Sequence, residues 1–159
     1  MCAVSSKTWE TVQMPAEALL RPKRSSLPPR EGQKVLIIDD DEAIAEPLAF
    51  RLQRQGFHTL IAHAGEAGLA LARSERPNIV LLDLRLPDID GFTVCEQLDS
   101  DPTTCHIPVI ILSGMERPDI IRRCRAAGSQ YFVRKPYDPN ALLVLIRHAL
   151  DEAQRRQPA

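Results

Sequence analysis

From residue 34 onward, apolar and polar positions follow two rhythms. The short apolar runs Val35 to Ile38, Thr59 to Ala62, Ile79 to Leu82, Val109 to Leu112 and Tyr131 to Val133 are too brief for helices and read as strands. Between them the spacing turns helical, which predicts helices over 42–55, 65–75, 91–99, 118–126 and 139–154. Ile79-Val80-Leu81-Leu82 is apolar without alternation, the pattern of a strand covered on both faces. Strands alternating with helices call for an α/β fold, a doubly wound parallel sheet with helices on both faces. Right-handed crossovers then bring the carboxyl end of every strand to one edge.

Punctuation along the chain mostly agrees with this division. Gly56 and Gly128 stand where a helix should stop and turn into the next strand. Pro47 conflicts with it, because proline inside a helix removes a backbone donor; the first helix should therefore start late or bend. Internal repeats are absent.

Composition narrows the class. A chain of 159 residues holds one domain and an appendage. Residues 1–32 carry Pro15, Pro22, Pro28 and Pro29, Ser25 and Ser26, and the basic run Arg21-Pro22-Lys23-Arg24, which reads as a flexible N-terminal extension with room for a short helix over Ala16 to Leu20. The domain should span 33–155, leaving 156–159 as a tail. With 20 basic and 21 acidic residues the net charge is -1, so no direct nucleic-acid partner and no anionic membrane is expected. Cys2, Cys95, Cys105 and Cys124 show neither zinc-site spacing nor disulfide density and read as free thiols, with Cys105-His106 an ordinary loop pair. No apolar run approaches the roughly 18 residues of a bilayer span, and the amino terminus lacks a signal peptide's apolar centre, so the expected location is cytoplasmic.

Chemistry gathers where the strands end. Asp39-Asp40-Asp41 follows the first strand, Asp83 closes the third, Ser113-Gly114 follows the fourth and Lys135-Pro136 the fifth; the second contributes nothing comparable. In open parallel sheets ligands collect just beyond the carboxyl ends of the strands. If the first and third strands are neighbours, the acidic cluster and Asp83 face one another, and carboxylates that close cannot all ionise without a compensating cation. Magnesium suits such a site: it takes one or two carboxylates, a backbone carbonyl and waters, and leaves positions for phosphate oxygens. Asp41 fits a simpler role, as the cap of the first helix.

These segments resemble the receiver domains of two-component response regulators. The likeness rests on Val35-Leu36-Ile37-Ile38-Asp39-Asp40-Asp41, on Asp83-Leu84-Arg85-Leu86-Pro87-Asp88-Ile89-Asp90-Gly91, on Ile110-Ile111-Leu112-Ser113-Gly114 and on Phe132-Val133-Arg134-Lys135-Pro136. It implies a flavodoxin-like sheet of five parallel strands in the order 2-1-3-4-5. It also implies that Asp83 accepts a phosphoryl group from a histidine kinase or a phosphotransfer protein. Asp40 and Asp83 would bind Mg2+ or Mn2+ directly, Asp39 through water and Arg85 through its backbone carbonyl. Lys135, held by a cis bond to Pro136, and Ser113 would contact the phosphoryl oxygens, and Ser113 with Phe132 would form the switch. Phe stands at 132 where Tyr is commoner in the family, which costs a phenol hydrogen bond but keeps the packing. Arg85 and Met115, bulky and neither acid nor amide, imply slow self-hydrolysis.

Only a short tail follows the domain, so the expected output is contact with a downstream protein target, by a phosphoacceptor signalling domain and not a turnover enzyme. Ala141-Leu142-Leu143-Val144-Leu145-Ile146 gives the last helix two apolar sides, one for the core and one for a partner. Homodimerisation through the face made by 118–126, 131–134 and 139–154 is the use the resemblance implies. Two other functions compete. A magnesium-dependent phosphatase with an aspartyl nucleophile would want an acid two residues on, where Arg85 stands; a receiver-like scaffold that is never phosphorylated would have no need of the full site set.

Overall fold

The computed structural model describes residues 32–157. The expected N-terminal extension, except for Gly32, lies outside them, together with its short helix, its basic cluster and Cys2. Five strands, β1 (Lys34–Ile38), β2 (His58–Ala62), β3 (Ile79–Asp83), β4 (Val109–Ser113) and β5 (Tyr131–Arg134), alternate with five helices, α1 (Glu42–Arg54), α2 (Gly65–Glu75), α3 (Gly91–Ser100), α4 (Ile120–Ala126) and α5 (Pro139–Arg156). The strands form one parallel sheet in the order β2-β1-β3-β4-β5, as the resemblance implied. Pairing of Ile38 with both Ala62 and Leu82, and of Asp83 with Leu112, brings the ends of the four inner and outer neighbours to a common edge.

Alternation within each strand divides the core in two. Leu36, Ile38, Val80, Leu82 and Ile111 face α2, α3 and α4 through Leu69, Ala72, Phe92, Val94, Leu98 and Ile120. Val35, Ile37, Leu81, Ile110 and Leu112 face α1 and α5 through Leu48, Leu52, Leu142, Leu145 and Ile146. A run that is apolar at every position is required because each side chain, whichever way it points, meets a helix.

The helix ends follow from local chemistry. Asp41 caps α1 by accepting the Ala43 N–H at 3.0 Å, and Asp138 caps α5 by accepting those of Asn140 and Ala141. Gly56 and Gly128, at φ 91° and 98°, close α1 and α4. In each case the next N–H reaches back to the helix, Phe57 to the Leu52 carbonyl and Ser129 to that of Cys124.

Two expectations need correction. Of the two outcomes expected at Pro47, the late start is ruled out: helix α1 runs from Glu42 with Pro47 inside, where the ring is exposed and the missing donor costs one hydrogen bond. Cys95 and Cys124 are free and buried, as the sequence suggested. The second apolar side expected of α5 is narrow. Of its six successive apolar residues Leu142, Leu145 and Ile146 are buried, Leu143 packs partly on the core, and only Val144, at 46%, is well exposed.

Candidate functional site

At the carboxyl edge, β1 and β3 lie side by side, so Asp39, just past β1, and Asp83, the last residue of β3, meet where both chains leave the sheet. Asp39, Asp40 and Asp83 each offer a carboxylate oxygen, and these oxygens lie within 4.8 Å of one another. Lys135 arrives from the end of β5, its N–H bonded to the Ser113 carbonyl, and its Nζ reaches Asp39 Oδ2 at 2.9 Å and Asp83 Oδ2 at 3.1 Å. The Lys135-Pro136 bond is cis, as the resemblance implied. Ser113, buried at the end of β4, accepts the Met115 N–H at 3.1 Å. Phe132 is half-buried on the α2, α3 and α4 side of the sheet.

The acids differ in their surroundings. Asp39 is 3% exposed, and both its oxygens are engaged, Oδ1 by the Asp41 N–H and Oδ2 by Lys135. Asp40 is exposed, and Asp83 lies between the two, with the Arg85 N–H on its Oδ1 at 3.1 Å. Burial pushes the Asp83 carboxyl above its ordinary 3.8; the Arg85 N–H and Lys135 oppose that rise and the charge of Asp39 adds to it. Burial presses on Lys135 in the other direction, yet its hydrogen bond to Asp39 and the charges of Asp83 and Asp39 outweigh it and leave the ammonium above 10.5.

Three carboxylates facing one ammonium leave the cluster with surplus negative charge. Hard oxygen donors on one open side of a half-buried site are the donor set a small divalent cation takes. The residues present therefore fit Mg2+.

Of the residues expected at the site from the sequence, Asp39, Asp40, Asp83, Arg85, Ser113 and Lys135 are at this edge, whereas Phe132 lies inside β5, paired with Ile111. One contributor was missed, because the second strand is not silent. His63, directly after β2, places Nδ1 3.0 Å from the Asp39 carbonyl oxygen. Its position one residue past a strand end was the available signal. Tyr137 was missed as well. Burial raises its phenol above 10.0, and with Lys135 and Pro136 it lines a groove of about 570 Å³ against Ile44, Leu48 and Arg51 of α1. Among the described residues no helix is long and apolar enough to cross a membrane.

Comparison with known proteins gives this geometry a family. The model of the response regulator receiver domain matches residues 35–147. The response regulator PleD of Caulobacter vibrioides is 35% identical over 131 residues, covering 78% of this chain and 29% of PleD. The DNA-binding dual master transcriptional regulator RpaA of Synechocystis is 35% identical over 122 residues, covering 77% of this chain and 51% of RpaA. The chain thus spans between about a third and a half of these relatives. A CheY-like receiver domain protein from Methanospirillum hungatei superposes with a TM-score of 0.75 at 29% identity, covering 79% of this chain and 98% of that one. Phosphorylation on an aspartate is the general function of this family, and the chain belongs to the response regulator receiver domains.

Proposed function

We propose that Asp83 is the phosphoryl acceptor, charged by a histidine kinase or a histidine phosphotransfer protein. The observation that carries this reading is the placement of one ammonium, Lys135 Nζ, on both Asp83 and Asp39 at the rim of a three-carboxylate cluster. A carboxylate oxygen of Asp83 forms the new P–O bond as the donor's P–N bond breaks, and the imidazole leaves with the electron pair of that bond and takes up a proton. Lys135 holds the attacking carboxylate in line and then follows the phosphoryl oxygens, where most of the charge of the transition state lies. Asp40 and Asp83 would hold Mg2+, or Mn2+, directly, and Arg85 would add its carbonyl. Asp39, both of whose oxygens are already engaged, would act through water. When bound, the ion supplies positive charge to the phosphoryl oxygens.

Ser113 and Phe132 are the proposed switch. The Ser113 hydroxyl turns to donate to a phosphoryl oxygen, drawing the Gly114-Met115 segment inward, and Phe132 moves into the space vacated. The altered surface is read by a downstream protein, with a second copy of the chain, through 118–126, 131–134 and 139–154, as one reader. Ile121 and Val144, at 41% and 46% exposure, are its apolar points. Arg85 is exposed and Met115 half-buried, and neither carries an acid or amide to orient water, so self-hydrolysis is slow. A phosphoryl lifetime of seconds at neutral pH would overturn this last point.

Incubation with Mg2+ and acetyl phosphate, followed by intact mass, tests the whole reading. A stable added phosphoryl group on wild type and none on Asp83→Asn is expected. No adduct on either protein favours the scaffold, and rapid multiple turnover of the donor favours the phosphatase.

A further inference from the structure

Helix α2 starts without a cap of its own. Ala64, at its N-cap position, has extended backbone angles of φ -144° and ψ 155° but no side chain able to accept an N–H. The missing acceptor comes from elsewhere in the chain. Asp88, in the loop between β3 and α3, accepts the Gly65 N–H on Oδ1 at 2.7 Å and the Glu66 N–H on Oδ2 at 2.9 Å. These two N–H groups hold its carboxyl below the ordinary 3.8.

The loop that Asp88 tethers is the one that leaves the acceptor. It begins at Leu84, directly after Asp83, and its base is closed by the Gly91 N–H on the Leu84 carbonyl at 3.0 Å. Gly91 lies so close to that base that a Cβ would stand 2.6 Å from the Asp83 carbonyl oxygen. At the far side Gly65 is equally tight, since a Cβ there would collide with Ile89 and come within 2.9 Å of Val94. The loop is therefore fixed at its base and at Asp88. Between those points Arg85 is exposed, and its N–H, three residues before Asp88, is the one bonded to Asp83 Oδ1.

We propose that Asp88 is a positioning residue of the phosphoryl-acceptor site: by capping α2 from the β3–α3 loop, it holds the Arg85 backbone in register with the Asp83 carboxylate and with the cation site. This rests on the acceptor reading above. Two tasks are joined in one carboxylate, a helix cap and a loop tether, and they can be separated by restoring the cap locally. In the double variant Asp88→Ala with Ala64→Asp, the extended angles at 64 suit an N-cap acid, so α2 is capped again while the loop is untied.

Thermal unfolding, Mg2+ titration followed by amide NMR, and phosphoryl uptake from acetyl phosphate are measured on wild type, Asp88→Ala, Asp88→Asn and the double variant. The expected result is that Asp88→Ala lowers the unfolding midpoint and the double variant returns it to near that of wild type. In both, half-saturation with Mg2+ shifts upward about tenfold, as for other groups that orient metal ligands, and the Arg85 amide exchanges faster. Asp88→Asn, whose single amide oxygen can take one of the two N–H groups, falls between and keeps the comparison readable if Asp88→Ala folds poorly. Recovery of Mg2+ affinity, Arg85 exchange and phosphoryl uptake along with stability in the double variant would show a cap and nothing more, overturning the inference alone. Wild type that takes up no phosphoryl group overturns the acceptor reading, and this inference with it.

Discussion

Two lysine–carboxylate pairs sit at opposite ends of the sheet with the same separation. At the amino end of β1, Lys34 Nζ is 3.1 Å from Glu75 Oε2, with 40% and 44% of the side chains exposed. Beyond the carboxyl ends, Lys135 Nζ is 3.1 Å from Asp83 Oδ2, with 16% and 12% exposed, and the same ammonium also meets the nearly buried Asp39. Distance alone makes the pairs equal, and water makes them different. The first is screened and carries a surface pair's small worth, of about 0–1 kcal/mol. In the second, burial raises the cost of each charge, so that removing the one ammonium leaves the carboxylates uncompensated. A site held in that condition favours any added group that balances its charge, which is what a cation and a phosphoryl group together would do.

The largest test of this contrast is chemical. Asp83→Asn is expected to lose phosphoryl uptake from acetyl phosphate completely by intact mass, while Glu75→Gln keeps the wild-type rate. Next in size, Lys135→Met should slow uptake by about a hundredfold, the scale for losing one preorganised donor to developing charge. The same change, measured by urea unfolding without divalent cations, should cost about 2 kcal/mol, below the full penalty of a broken buried pair because the site opens to water.

A pH series sharpens the contrast further. The Asp83 carboxyl is raised in the folded chain, so the contribution of its protonated form is complete below 3.8 and is lost as pH rises through the folded value. Without divalent cations, Asp83→Asn should therefore be more stable than wild type above that window and converge with it below. Asp88 has the opposite sign. Its carboxyl lies below 3.8, so its contribution is present above 3.8 and lost as pH falls through the lower folded value. Asp88→Asn should accordingly flatten the acid side of the stability curve and leave the neutral region unsloped. Smallest of all, Lys34→Ala should change stability by no more than about 0.5 kcal/mol, less still at high salt. A loss of several kcal/mol there would break the comparison.

The sequence was most legible where structure is local. Each strand run lies within its observed strand, β3 extending one residue further to take in Asp83 itself, and the helix over 65–75 runs from Gly65 to Glu75 as expected. The placement of the candidate residues at the strand ends was equally legible, because a polar residue directly after an apolar strand has few places to go but the carboxyl edge. Helix α4 begins at Ile120, two residues later than the periodicity suggested, after a short turn at Pro118-Asp119.

What the sequence by itself determined was the alternation of strands and helices and the identity of the residues at the strand ends, since both depend on neighbours a few positions apart. Tertiary structure decided the remainder. It set which oxygens of Asp39 are already engaged, brought His63 to the Asp39 carbonyl, and placed the cap of α2 on Asp88, 23 residues from the Gly65 N–H it accepts. These contacts join segments through space, where the choice of partner depends on how helices seat on the sheet, and no local periodicity carries that information.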